Sequence, residues 1–170
     1  QPEVGVNVGV YENPHDLTPE MFTLMRFTEY DNPDTGDFEW LIRKDGCMHC
    51  ADPGCLKACP SPGAIVQYTN GIVDFIHENC IGCGYCFYAC PFGAPQYPRV
   101  GNFGGRGKMD KCTYCAGGPE DDLSAAEQAA YGSNRLAEGK LPLCAEMCST
   151  KALLAGDGDI IADIYKERVV

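Results

Sequence analysis

Residues 80–91 read CIGCGYCFYACP, in which Cys80, Cys83, Cys86 and Cys90 are separated by two, two and three residues and Pro91 closes the run. Upstream, residues 47–60 read CMHCADPGCLKACP; they place Cys47, Cys50, Cys55 and Cys59 in a similar order and end on Pro60. Both stretches finish as Cys-Pro and run into a turn of small residues and proline, so one supersecondary unit is duplicated. A third set, Cys112, Cys115, Cys144 and Cys148, follows a different plan: CxxC, a long insertion, then CxxxC followed by Ser149 instead of proline. These sets use all 12 cysteines of the 170 residues, and the 20 Gly and 12 Pro beside them describe a loop-rich chain. Something other than apolar packing must fix such loops.

The spacing of residues 80–91 is the bacterial ferredoxin pattern for a 4Fe-4S cluster. Three closely spaced thiolates on a tight loop reach three irons of one cube, and small residues such as Gly82 and Gly84 leave room for backbone amides to approach the sulfurs. In two-cluster chains the fourth cysteine sits on a short helix and binds the neighbouring cluster. The expected groupings are therefore Cys47, Cys50 and Cys55 with Cys90, and Cys80, Cys83 and Cys86 with Cys59. The first loop has two extra residues before Cys55, including Pro53 and Gly54, which a looser loop accommodates. For the third set two readings stay open. Either Cys112, Cys115, Cys144 and Cys148 close one cluster, or the first three serve a cluster completed from upstream and Cys148 serves another. Disulfides and structural zinc are the bland alternatives. Overlapping CxxC pairs without a secretion signal are poor disulfide geometry, and the two-two-three spacing ending in Cys-Pro departs from a zinc ribbon.

Elsewhere the chain reads as small elements arranged around these loops. MFTLMRFTEY (21–30) and FEWLIR (38–43) flank the turn-rich DNPDTGD and predict a β-hairpin. Between the two cysteine loops, AIVQY and IVDF flank an Asn70-Gly71 turn and predict a second, tighter hairpin. SAAEQAAYG (124–132) carries a capping box and a terminal glycine, which predict an inserted helix. KALLAG resembles a short strand, and DGDIIADIYKERVV predicts a final helix whose Ile160, Ile161 and Ile164 pack on the body. The formal charge of −11 argues against a nucleic-acid partner, since phosphate selects basic surface. No 18-residue apolar run and no leader pattern is present. The start at Gln1, in a polar stretch, leads us to expect a segment upstream.

Other residue types add little chemistry. His49 lies in the first loop, where four cysteines already suffice, so it reads as structural; His15 and His77 read as surface residues. Trp40, Tyr85 and Tyr88 invite an electron-relay role, with exclusion of water as the plainer one. Lys108 and Lys111 read first as solvated lysines, with compensation of cluster charge as the alternative, and the acidic GPEDD as a solvated run. No Ser/His/Asp, GxGxxG or P-loop arrangement stands out. A cluster with all irons ligated offers substrate no open position, so the residues point to electron transfer. A zinc-stabilised interaction module is the alternative from another class.

Long stretches between the cysteines carry a more specific likeness. WLIRKDGCMHCADPGCLKACPSPGAIVQYTNGIVDF and ENCIGCGYCFYACPFGAPQYP, with the upstream NVGVYENPHDLTPEMFTLMRF, closely resemble the iron-sulfur (beta) subunit of membrane-associated molybdenum or tungsten formate dehydrogenases. GKMDKCTYCAGG and NRLAEGKLPLCAEMCSTKALLAGDGDII resemble another branch of the same subunits. The resemblance implies a ferredoxin-like α+β fold of tandem 4Fe-4S modules with inserted β-hairpins and short helices. It also implies four cysteine quartets, of which the one before Gln1 is absent here, so that two clusters are complete in this chain and three or four in the intact protein. The implied organisation is an N-terminal hairpin region (1–46) packing on the cluster core, a duplicated two-cluster module (47–100), a second cluster module with a helical insertion (101–156), and a C-terminal helix (157–170). The implied function is non-catalytic. Electrons pass from a molybdopterin-containing catalytic alpha subunit through the clusters toward a cytochrome b subunit and quinone, or another acceptor. The complex is expected on the periplasmic side of the membrane, exported by its catalytic partner, with the cytoplasm as the alternative. The equivalent subunit of a nitrate, sulfoxide or polysulfide enzyme is the runner-up.

Overall fold

The computed structural model describes residues 16–101, 103–115, 135 and 138–169. The chain divides after Cys112 into two compact units. The predicted helix over 124–132, the GPEDD run, His15 and the Trp40 side chain lie outside the described residues.

In the first unit, β1 (Thr23–Asp31) and β2 (Phe38–Gly46) form an antiparallel hairpin in which Phe27 faces Ile42 and Thr23 faces Gly46. Asn32 makes the turn: its side-chain oxygen accepts from the Asp34 and Thr35 amides at 3.0 and 3.4 Å, the local competition for backbone donors that favours Asn at turns. Arg26 and Arg43 stand opposite each other, and Asp45 bridges them, accepting a hydrogen bond from Arg26 Nε at 2.5 Å and forming an ion pair with Arg43 Nε at 3.4 Å. Among the described side chains of this hairpin, burial is confined to its base. Leu24 joins Leu17 and Ala94 in a small core against Met21, Cys47 and Cys90, while Phe27, Phe38 and Ile42 farther out are exposed.

The duplicated unit follows. α1 (Gly54–Ala58) leads to the hairpin of β3 (Ile65–Gln67) and β4 (Val73–Phe75), which pairs Val66 with Asp74. Its turn runs through Asn70-Gly71: Asn70 Oδ1 accepts from the Ile72 amide at 3.1 Å, and Gly71 adopts φ 86°. A 3-10 turn (His77–Asn79) and α2 (Tyr85–Ala89) complete the second copy. No hairpin follows α2; the chain instead returns through a two-residue bridge in which Gln96 and Asp110 exchange backbone hydrogen bonds of 2.8 Å.

α1 and α2 pack against each other. A Cβ on Gly54 would lie 3.0 Å from the Ala89 carbonyl oxygen, so a side chain at the start of α1 would push α2 away. Around this pair the apolar core is small: Ile65, Val73, Cys86 and Met109, walled by Cys55, Leu56, Cys59, Phe75, Cys80 and Tyr97. Half of that wall is thiol. The mixture of short helices and small hairpins is the α+β arrangement expected of a ferredoxin-like chain.

The second unit contains α3 (Leu143–Glu146) and α4 (Gly158–Val169). Arg135 is ion-paired with Glu146 of α3. KALLAG is not a strand. Residues 151–156 bend, with Lys151 at φ 53°, a left-handed backbone that breaks an extended run. The final helix forms where expected, with Asp157 Oδ1 accepting from the amides of Asp159 and Ile160 at 3.0 and 3.2 Å. Lys166 and Arg168 occupy its last turn, where positive charge complements the helix dipole. Its apolar face is narrower than predicted: Ile161 and Ile164 are half-buried, but Ile160 is 62% exposed.

Candidate metal centres

Two hollows of closely similar size, about 290 and 280 Å³ of atom-free space partly open to solvent, lie in the first unit. Cys47, Cys50 and Cys55 line the first together with Cys90. Cys80, Cys83 and Cys86 line the second together with Cys59. Local chemistry explains why the fourth thiol leaves its own loop. Cys59 and Cys90 cap the C-termini of α1 and α2 in extended conformation, at ψ 117° and 113°. Pro60 and Pro91 force this, because the ring of a proline disfavours helical geometry in the residue before it. Each five-residue helix therefore stops on a cysteine that is turned out toward its neighbour.

The second loop is held by close backbone contact. Gly82 has φ 67°, and a Cβ there would lie 2.5 Å from the Gly107 carbonyl oxygen; the Gly104 amide donates to the Gly82 carbonyl at 3.2 Å. The room left by this glycine is thus filled by the Gly-rich segment 101–107. Hydrogen bonds to sulfur come from elsewhere: the Met109 amide lies 3.3 Å from Cys80 Sγ, and the Tyr97 hydroxyl 3.1 Å from Cys86 Sγ.

The two hollows differ in charge. Burial pushes the Cys47, Cys50 and Cys55 thiols up, and Lys111 opposes that shift at all three. Burial pushes Cys86 up to about 11, against the stabilising hydroxyl of Tyr97. Tyr97 is itself pushed up, first by burial and then by Cys86. His49 is fixed by a backbone contact from β4. Its backbone has φ 45°, its Nδ1 accepts from the Val73 amide at 3.1 Å, and burial followed by Lys111 and Lys44 lowers it to about 3, so the ring is a neutral strut between the first loop and β4. His77 is exposed, with its ring 4.9 Å from that of Phe75.

Several expectations change here. Lys111, read as solvated, is 2% exposed and lines the first hollow. Lys108 does stay exposed, donating to the Glu78 carbonyl at 3.2 Å. Tyr85 and Tyr88 exclude little water, being 55% and 70% exposed; Tyr88 serves instead as a platform for Arg106, 5.7 Å from its ring centre. Among the described residues, the aromatic hydroxyl that meets a thiol is that of Tyr97, which no sequence motif singled out.

The third set spans the division of the chain. Cys112 ends the first unit, and Cys115, Cys144 and Cys148 belong to the second. Cys144 lies on α3. Cys148 follows it, 3.5 Å from the Thr150 hydroxyl, and that contact together with the Leu153 amide lowers its thiol to about 7.

The donor chemistry fits an iron-sulfur cube. All eight cysteines of the first two sets are thiols outside any disulfide. Among the described residues, no three His, Cys, Asp or Glu side chains converge closely enough to hold a single metal ion. A tetrahedral zinc would draw four sulfurs to about 2.3 Å from one atom. Thiols that ring a hollow instead suit a centre in which each sulfur takes a different iron.

Residues 38–126 match the family model described as a 4Fe-4S dicluster domain. That class accounts for two thiol-lined hollows in one unit. Over 137 residues the chain is 61% identical to the formate dehydrogenase iron-sulfur subunit of Wolinella succinogenes, covering 78% of this chain and 68% of that protein. It is 47% identical over 167 residues to the nitrate-inducible formate dehydrogenase iron-sulfur subunit of Escherichia coli, covering 98% and 49%. The chain belongs to the family of formate dehydrogenase iron-sulfur subunits. Similarity extends to a component of the anaerobic dimethyl sulfoxide reductase of Escherichia coli, 36% identical over 152 residues and covering 85% and 62%. The chain spans about two thirds of the Wolinella relative and about half of the Escherichia coli formate dehydrogenase one.

Proposed function

We propose that this chain is the electron-transfer subunit of a formate dehydrogenase complex and has no catalytic site of its own. Cys47, Cys50, Cys55 and Cys90 would hold one 4Fe-4S cluster, and Cys80, Cys83, Cys86 and Cys59 a second. When bound, such clusters supply one-electron transfer without an open position for substrate. The observation that carries this reading is the exchange of helix-end cysteines, by which each hollow is closed by the other copy's fourth thiol. Packing α1 against α2 keeps the two sites in one rigid neighbourhood, as consecutive stations of an electron path require.

The rest of the assembly is part of the same proposal. A molybdopterin-containing catalytic subunit would oxidise formate, and a cytochrome b subunit would carry electrons on to quinone in a membrane-associated, periplasmic complex. No helix among the described residues is long and apolar enough to cross a membrane. Cys112, Cys115, Cys144 and Cys148 would ligate further clusters of the intact protein. The similarity to the dimethyl sulfoxide reductase component supports the second reading, service to another molybdopterin enzyme, but the formate relatives are the more similar. Anaerobic purification of the complex decides between them. Iron with equimolar acid-labile sulfide, and centres reduced on adding formate, is expected. A partner inactive on formate and active on a sulfoxide would reject formate; zinc without sulfide would reject electron transfer.

A further inference from the structure

We propose that Lys111 is a fixed positive charge that raises the reduction potential of the centre in the hollow of Cys47, Cys50, Cys55 and Cys90, and so makes the two neighbouring centres unequal. Lys111 is 2% exposed. Its Nζ donates to the Val73 carbonyl and, at 3.0 Å, to that of Cys112, and it lies 5.8 Å from the centre of the Phe75 ring. Two carbonyls and a ring face hold it in place, yet among the described residues it forms no ion pair with a carboxylate. Burying an ammonium without a counter-charge is costly. The titratable groups that share its hollow are the four thiols, and among the described residues no other Lys, Arg, Asp or Glu lines it. Among the described residues no Lys, Arg, Asp or Glu lines the matching hollow of Cys59, Cys80, Cys83 and Cys86, whose wall is completed by Ser61, Tyr97 and apolar groups; Arg106 lies outside that wall, over the rings of Tyr88 and Tyr97.

The consequence follows from charge. Four thiolates outweigh the positive charge of an iron-sulfur core, so the site is anionic and becomes more so when it gains an electron. A nearby cation stabilises the reduced form more than the oxidised form. The Coulombic relief that Lys111 gives to Cys47, Cys50 and Cys55 has the same sense. At an effective dielectric constant of about 20, a unit charge about 12 Å from the added electron changes a one-electron equilibrium by about tenfold, which is about 59 mV. A charge in the wall of the site, being nearer, changes it by at least that much.

This inference rests on the proposed cluster occupancy, which the iron and sulfide content of the unaltered protein checks separately. The test is a redox titration of the purified complex followed by electron paramagnetic resonance, with Lys111→Met, Lys111→Gln and Lys111→Arg. Both neutral variants should lower one midpoint, by about tenfold or more in the reduction equilibrium, and leave its neighbour in place, while Lys111→Arg stays near the unaltered value. Neutral variants that lose iron from one centre while Lys111→Arg keeps it would also support the role of charge. The proposal is overturned if the neutral variants move no midpoint, if they move both centres equally, or if Lys111→Arg behaves as they do.

Discussion

Removing the hydroxyl of Tyr97 should lower the potential of the second centre. In the protein, Tyr97 Oη lies 3.1 Å from Cys86 Sγ, in the wall of the hollow that Cys59, Cys80 and Cys83 share. A thiol bound to metal is deprotonated, so the sulfur can only accept, and Tyr97 must donate. Burial keeps the phenol protonated, since it moves Tyr97 far above its ordinary range. A hydrogen bond to a charged acceptor contributes about 1.5–3 kcal/mol. The added electron is spread over the whole cluster, so roughly a third of that, about 0.5–1 kcal/mol, distinguishes the reduced from the oxidised form. With about 59 mV per tenfold in a one-electron couple, Tyr97→Phe should shift the midpoint down by about 20–40 mV. The ring is retained, and with it the packing against the Ile65, Val73 and Met109 core. Redox titration of the purified complex, followed by electron paramagnetic resonance, reads the shift directly. An unchanged or raised midpoint, with iron content intact, would refute the donor role.

Two further substitutions probe the scaffold. Met109 is 1% exposed and packs with Ile65, Val73 and Cys86, so Met109→Ala should cost about 2–5 kcal/mol and lower the thermal unfolding midpoint; a variant as stable as the parent would show that this core carries little. Gly82→Ala would set a Cβ against the Gly107 carbonyl at a backbone angle that alanine resists, and should reduce the iron retained at the second centre; full iron content would show that segment 101–107 yields easily.

Much of the site could be read from local chemistry. The cysteine spacing and the two Cys-Pro steps are short-range signals, and they account for both five-residue helices and for the turned-out Cys59 and Cys90. The Asn70-Gly71 turn likewise announced the β3–β4 hairpin, since its geometry depends on those two residues alone. The potential-tuning contacts could not be read this way. Lys111 reaches the first hollow through a carbonyl of β4, 38 positions away, and Tyr97 reaches Cys86 from beyond a proline-rich turn. Neither follows a helical or strand period. A lysine three residues from another lysine looks solvated until tertiary packing encloses it. KALLAG misled for a related reason: its apolar residues suit a strand, but Lys151 takes a left-handed φ of 53° that ends an extended run.

Serine substitutions examined by electron paramagnetic resonance tell whether Cys59 and Cys90 cross to the neighbouring centre or stay with their own loops. Cys47→Ser and Cys90→Ser should perturb one and the same signal of the reduced complex, and Cys80→Ser and Cys59→Ser should perturb the other. If Cys59→Ser instead alters the signal that Cys47→Ser alters, each loop keeps its own fourth thiol, and the account of two interlocked centres is wrong.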